Sequence, residues 1–290
     1  MDFSLDAKYL DIQAQARKLT ASIAHIAAEA DDCSTVHPEI LAALRASELS
    51  RLMVPTEFGG AFEQVDPLAI CVVREALMAT CSHLDSLFAL QGIGSFAITK
   101  AGSAEQRATW LPRVASGEVL AALALTEPDA GSDLKSVTTE VVETPEGLRL
   151  DGVKSYISNA GAAGFYEVFA REGSGYSMLL VPADVAGVTV TPTEELIAPH
   201  VLGDVRFDNV LLPRTARLGA AGEGLALVLA TLAVFRVSVA GASVGPRRLH
   251  WRKPPGMRAH ACSSAARSPV SDRWRNCSPT AGPRSRWRGC

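Results

Sequence analysis

Up to about residue 118 apolar side chains recur at three- and four-residue steps, the period that gathers them on one face of a helix. Leu10, Ala14, Leu19, Ile23 and Ile26 mark such a face between Asp6 and Ala28. Pro38, tolerated in a first helical turn, leads into Ile40, Leu41 and Leu44 and predicts a second, shorter helix. The run from Pro55 to Gly60 breaks the pattern. Asp66-Pro67 then opens a helix reaching Ala79, and Leu84 to Lys100 predicts another, in which Gly92 and Gly94 signal close packing or a local break. Ser103 with Gln106 fits a capping box at the start of a helix running toward Leu111.

From about Glu118 the pattern changes. Residues 119–125 form a short apolar run, Val137 to Val142 alternates, Pro145-Glu146-Gly147 turns the chain, and Leu148 to Val153 reads as the hairpin partner. Tyr156-Ile157, Tyr166 to Ala170, Tyr176 to Val181, Val188 to Thr191 and Val205 to Phe207 add strands. Strands and helices do not alternate and no GxGxxG follows a strand, which argues against classical NAD binding. After Gly222-Glu223-Gly224 a helical pattern returns from Leu225 to Gly245, with Arg236 as its only charge. The expected fold class is α+β, multidomain: a helical N-terminal domain (1–117), a central antiparallel β-domain (118–220) and the start of an incomplete C-terminal helical bundle (221–245).

Charge separates off the remainder. The 290 residues carry a net charge of −3, but residues 246–290 hold ten Arg and one Lys against Asp272 alone, a formal +10 that leaves −13 on the preceding body. An acidic body without a basic stripe does not point to nucleic acid. The tail also holds Trp251, Trp274 and Trp287 together with Cys262, Cys277 and Cys290, and has neither hydrophobic period. It is expected to be disordered. Three readings of it stay open: RNA or anionic-surface binding with Trp stacking, a natural disordered extension, and a coding frame shifted near residue 245. The last is the most economical, because out-of-frame reading of GC-rich DNA yields this Arg, Pro, Ser, Trp and Cys enrichment.

Six Cys form no CxxC pair and have no ordered spacing with the six His, so neither a zinc site nor a disulfide framework is expected. Cys33, Cys71 and Cys81 read as ordinary buried thiols, and His37, His83 and His200 as isolated structural or surface residues. No apolar stretch reaches about 18 residues without a charge or breaker, which argues against a spanning helix. The acidic start MDFSLDAKYLD lacks the apolar core of a secretion signal, and the cytoplasm is the default expectation.

Two motifs carry the chemistry. Leu125-Thr-Glu-Pro-Asp-Ala-Gly-Ser-Asp133 and, further on, Lys154-Ser-Tyr-Ile-Ser-Asn159 closely resemble the paired signatures of the acyl-CoA dehydrogenase family, in the right order. Pro55 to Gly60, Gly102 to Gln106, Leu111-Pro112, Gly117-Glu118, Val205 to Val210 with Pro213, and Gly222-Glu-Gly224 support the match. The resemblance covers about residues 1–245. It implies FAD held between the β-domain and the C-terminal bundle, a homo-oligomeric assembly, and electron-transfer flavoprotein or oxygen as acceptor.

By that resemblance the flavin ring lies against Leu125, Thr126, Tyr156, Ile157 and Ser158. The hydroxyls of Thr126 and Ser158 suit its carbonyls and N5, because they orient a neutral ring without adding charge, and Tyr156 offers an aromatic wall. Gly131 permits close backbone approach. Ser132 is the expected contact to the carrier of the thioester, Gln91 is placed near the flavin or acyl end, and Arg236 is read as a substrate partner. Glu127 and Asp133 are assigned to loop capping rather than catalysis.

The implied reaction is α,β-dehydrogenation of an acyl-CoA thioester by a carboxylate base and the flavin. The catalytic base is unknown: most relatives place a Glu beyond residue 245, and the minority position just before Arg236 is here Phe235. The family's Arg-x-x-Phe-Gly segment is absent, and Ala198 to Asp204 replaces its usual Arg-Gly-Ser/Thr turn. Alternatives are oxidation of an acyl group on acyl carrier protein, and a non-catalytic thioester- or protein-binding module.

Overall fold

The computed structural model describes residues 4–193 and 199–252, with residues 248–252 as backbone only. The chain divides after Pro246. The fold below is that of the first unit; of the second, only the last helical residues to Arg252 are described, so the tail expectations lie outside the described residues, as does Ala198.

Helices come first: α1 (Ala7–Ile23), α2 (Ala27–Asp31), α3 (Pro38–Ser47), α4 (Pro67–Met78), α5 (Ser82–Ile93), α6 (Phe96–Ala101) and α7 (Ala104–Ala115). Local chemistry sets several of their starts. Asp66 accepts from the Leu68 and Ala69 amides at the head of α4, and Ser103 and Gln106 close a complete capping box on α7. The expected helix over Leu84 to Lys100 is broken at Gly94-Ser95. A Cβ on Gly94 would stand 2.6 Å from the Ala122 nitrogen, so α5 ends where the chain passes against the sheet. α5 is buried almost all round, from His83 to Gly92, and forms the axis of the helical core.

Eight strands follow: β1 (Ala121–Ala124), β2 (Glu140–Thr144), β3 (Gly147–Ser158), β4 (Phe165–Glu172), β5 (Gly175–Pro182), β6 (Val188–Pro192), β7 (Leu202–Leu212) and β8 (Arg217–Leu218). The sheet runs β6-β7-β3-β2-β4-β5-β8, with β1 beside β4. It is mainly antiparallel, but β4 pairs in parallel with β1 and with the edge of β2, so the sheet is mixed. The two expected strands at Leu148 to Val153 and Tyr156-Ile157 are one long strand, interrupted by bulges rather than a turn.

β4 shows why the sheet has two covered faces. Phe165 and Phe169 join the core packed under α6, α7 and the helix after the sheet, whereas Tyr166, Val168 and Ala170 point into the core between β3–β7 and β4–β5. Beyond the sheet lie α8 (Gly224–Phe235) and α9 (Ser238–Arg252). Arg236 and Val237 break what the sequence reads as one helix. The stretch Gly224–Arg247 is, by length and composition, apolar enough to cross a membrane, with a mean hydropathy of 2.1 over its most apolar window. Arg236 interrupts the apolar run within it. α8 nevertheless packs on the sheet as core helices do: Val228 is buried, and Gly224 lies against the Ser177 backbone. Leu229, Val237, Val239 and Val244 stay exposed.

Candidate functional site

The two motifs meet at a buried clip. Glu127, on the loop after β1, accepts through Oε1 from the Lys154 ammonium at 2.8 Å and the Thr139 amide at 2.9 Å. Its Oε2 accepts from the Thr138 amide at 2.6 Å and the Thr138 hydroxyl at 2.8 Å. Lys154 Nζ, on β3, also donates to the Leu125 carbonyl at 3.0 Å, and the next amide, Ser155, donates to the Thr126 carbonyl at 2.8 Å. Lys154 is fully buried and Glu127 nearly so. Burial raises the Glu127 carboxyl, but the Lys154 ammonium and the Thr138 and Thr139 donors outweigh it and hold it down at about 2. Burial lowers the Lys154 ammonium to about 8, with Glu127 restoring only part. The carboxylate is thus ionised and spent on holding the motifs together, which is the capping role expected of it. Asp133 likewise accepts from the Lys135 amide.

Past the clip β3 bulges. Lys154 pairs with Val205 and Ile157 with Gly203, so Ser155 and Tyr156 together oppose the single residue Asp204. Tyr156 takes up the extra length in a left-handed conformation, φ +57°, its amide donating to Asp204 Oδ1 at 3.3 Å. This turns the ring outward, 60% exposed, while Ile157 beneath it is 2% exposed. Thr126 and Ser158 are half-buried beside this bulge. The Thr126 hydroxyl makes no hydrogen bond to another described residue. Gly131 has open space where a Cβ would stand, and Ser132 is exposed.

Gln91 has a different task from the one expected. It is fully buried, and its amide donates to the Val114 and Val119 carbonyls and accepts from the Ala121 amide. Both amide protons and one lone pair of the amide oxygen tie α5 to α7 and β1. Arg236 sits exposed in the turn between α8 and α9. Phe235, next to it, is 2% exposed and meets Phe96 edge-on at 5.6 Å, a core residue with no proton-accepting group. Of the expected buried thiols, only Cys81 is buried, and burial pushes its thiol up to about 12; Cys33 and Cys71 are half-buried.

The histidines are not isolated. The His37 amide donates to His83 Nε2 at 3.1 Å, and burial lowers the His83 imidazole below its usual range. His200 Nε2 lies 3.1 Å from the Ser86 hydroxyl on α5 and 3.2 Å from the Ser158 hydroxyl at the end of β3. Burial lowers the His200 imidazole as well. Nothing in the one-dimensional spacing of residues 86, 158 and 200 announces this contact. A second feature without a sequence signal is Glu167, fully buried on β4, whose carboxyl accepts from the Ala97 and Ile98 amides at the start of α6. With no cation beside it among the described residues, burial pushes it up to about 8.

Comparison with known proteins follows the same outline. The N-terminal domain model of acyl-CoA dehydrogenases matches residues 7–118 and the middle-domain model matches residues 122–210. A probable acyl-CoA dehydrogenase of Mycobacterium leprae is 30% identical over 251 residues, 84% of this chain and 64% of its own length. A cyclohexane-1-carbonyl-CoA dehydrogenase of Geobacter metallireducens is 30% identical over 229 residues, 77% of this chain and 60% of its own. Among solved structures, a glutaryl-CoA dehydrogenase from Mycobacterium smegmatis in complex with FADH2 superposes with a TM-score of 0.79 at 27% identity, covering 85% of this chain and 64% of that one. The chain therefore spans a little under two thirds of the length of these relatives. Two adjoining domain models, a matching helix–sheet–helix architecture and the clipped pair of motifs establish that the chain belongs to the acyl-CoA dehydrogenase family.

Proposed function

We propose that this chain serves the FAD-dependent α,β-dehydrogenation of an acyl-CoA thioester. The observation that carries the reading is the clip itself: Lys154 and Ser155 bond directly to the Leu125 and Thr126 carbonyls, joining both family motifs at one bulged strand end. The residues there suit a flavin. Thr126 and Ser158 present neutral hydroxyls, the first unpartnered among the described residues, and Tyr156 presents an exposed ring whose backbone is held left-handed to turn it outward. Leu125 and Ile157 supply the apolar floor. When bound, FAD supplies the two-electron acceptor for the hydrogen leaving the β-carbon of the substrate.

The chain's own residues orient and shield. Ser132 and Gly131, on the open loop, are the proposed contacts to the CoA carrier, and Arg236, exposed between α8 and α9, is the proposed substrate-side cation. Glu127 is not free to take the α-proton, because it is consumed by Lys154, Thr138 and Thr139. The domain bounds at 117, 220 and 245, homo-oligomeric assembly, and electron-transfer flavoprotein or oxygen as acceptor belong to the same proposal.

The test is spectroscopic. The purified full chain, mixed with FAD, is expected to quench flavin fluorescence and shift the visible flavin bands, and Ser158→Ala with Thr126→Val to weaken both. Anaerobic bleaching by a panel of acyl-CoA and acyl-carrier-protein thioesters then reads the reaction and the carrier. Unchanged free-flavin spectra at every concentration would refute the cofactor assignment. Flavin that binds but is reduced by no thioester would refute the reaction and favour a binding module.

A further inference from the structure

His200 stands where the turn before β7 meets α5 and the end of β3, with one ring nitrogen inside hydrogen-bond distance of two hydroxyls, Ser86 and Ser158. A single imidazole nitrogen plays one of two opposite parts. Unprotonated, Nε2 has a lone pair and receives a hydroxyl proton; protonated, Nε2–H donates, and a hydroxyl bonded to it must accept and turn its own proton elsewhere. Ser158 is therefore tied to a partner whose hydrogen-bond polarity depends on pH. Ser86 approaches the same nitrogen from the helical side and shares its single lone pair or proton with Ser158, so the arrangement bridges the two cores.

We propose that His200 is a titratable positioning residue that sets the direction of the Ser158 hydroxyl: neutral His200, with its proton on Nδ1, holds the Ser158 proton, and protonated His200 releases it toward a ligand on the exposed side of the bulge. The inference rests on the reading that Ser158 faces the flavin. Burial, which lowers the His200 imidazole, favours the neutral ring. The ionisable groups around the ring are few among the described residues. On α5, His83 faces His200 and accepts the His37 amide, while Asp85 is turned into its pair with Arg74. On β3, Lys154 is consumed by Glu127, and on β7, Asp204 accepts the Tyr156 amide. No carboxylate bonds to the His200 ring among the described residues.

The test has a flavin-free arm and a flavin arm, both on the full chain. Imidazole nitrogen spectra between about pH 4.5 and 8 are expected to show an unprotonated Nε2 in neutral His200. The Ser158 Cβ resonance should titrate at the same midpoint, and Ser158→Ala or Ser86→Ala should move the His200 midpoint by about half a pH unit, the equivalent of one hydrogen bond. In the flavin arm, FAD affinity of the wild type should rise roughly two- to tenfold as pH falls through that midpoint. His200→Gln and His200→Asn, either of which serves if the other fails to fold, should give flat profiles, as should Ser158→Ala. A protonated Nε2 in the neutral ring, a Ser158 resonance that ignores the His200 titration, or an unchanged pH step in His200→Gln would overturn the proposal. Failure of FAD to bind at any pH would instead sink the cofactor reading, and the nitrogen and Ser158 titrations would then decide the role of His200 by themselves.

Discussion

Glu127→Gln removes one charge from a buried pair and leaves the other with nowhere to go. The magnitude follows from the two titrations. Holding the Glu127 carboxyl at about 2 against an ordinary 4.5 stabilises the folded chain by about 3 kcal/mol near neutral pH, at about 1.4 kcal/mol per pH unit. Lowering the Lys154 ammonium to about 8 from 10.5 costs about the same. Both values already contain the same Glu127–Lys154 attraction, so they do not add; the single substitution removes that attraction and leaves the buried Lys154 uncompensated, a loss of about 3 kcal/mol. The sign with pH is definite. Because the folded Glu127 value is depressed, its contribution is present above about pH 4.5 and disappears as pH falls toward about 2. Urea unfolding of the wild type, Glu127→Gln, Lys154→Met and the double variant is the assay. The double variant is expected to recover most of the single loss, since it removes the unpaired ammonium and its burial penalty together. A loss under about 1 kcal/mol in Glu127→Gln, or a double variant no more stable than the single, would refute the reasoning.

Other perturbations probe the fold around the clip. Glu167 titrates the opposite way: its folded value, about 8, lies above the ordinary 4.5, so its neutral form is favoured by folding and stability declines as pH rises from about 4.5 through 8. Glu167→Gln should flatten that decline by a few kcal/mol in unfolding curves across this range; a slope unchanged by the substitution would count against it. Tyr156→Gly should stabilise the chain by about 1 kcal/mol by relieving the left-handed backbone while weakening FAD binding, read by melting temperature and flavin quenching; Tyr156→Ala should show the binding loss without the gain. Arg74 joins Asp85 at 2.6 Å and Ser238 at 2.9 Å, pinning α4 and α5 to the start of α9. Arg74→Met should cost about 3 kcal/mol and speed hydrogen exchange at the Val239 and Ala240 amides, and protection left intact there would show that α9 is held by other contacts.

Helices, strands and the two motifs are legible in the chain because they depend on near neighbours. The 3.6-residue apolar period, the Ser103–Gln106 box and the Asp66 cap are local facts, satisfied within a turn or two of where they are written. The family motifs are legible for the same reason, as contiguous strings. The loop position of Glu127 predicts a capping role but not its partner Lys154, 27 residues on, and β3 reads as two strands because a bulge looks, in one dimension, like an end.

What the sequence left open all involves groups brought together across long separations. Gln91 has the composition of a ligand contact, yet it is spent on backbone groups of α7 and β1 that only packing places beside it. Glu167 reads as an unremarkable strand residue until α6 folds over it and withholds water. Ser86, Ser158 and His200 come from a helix, a strand end and a turn, and the distances that make them one hydrogen-bonded group arise only when the helical core closes on the sheet. Periodicity reports which face of an element is apolar, a property of the element alone. Which polar groups meet on the covered faces is decided by tertiary packing, and at this site those meetings set the charge, the proton positions and the proposed chemistry.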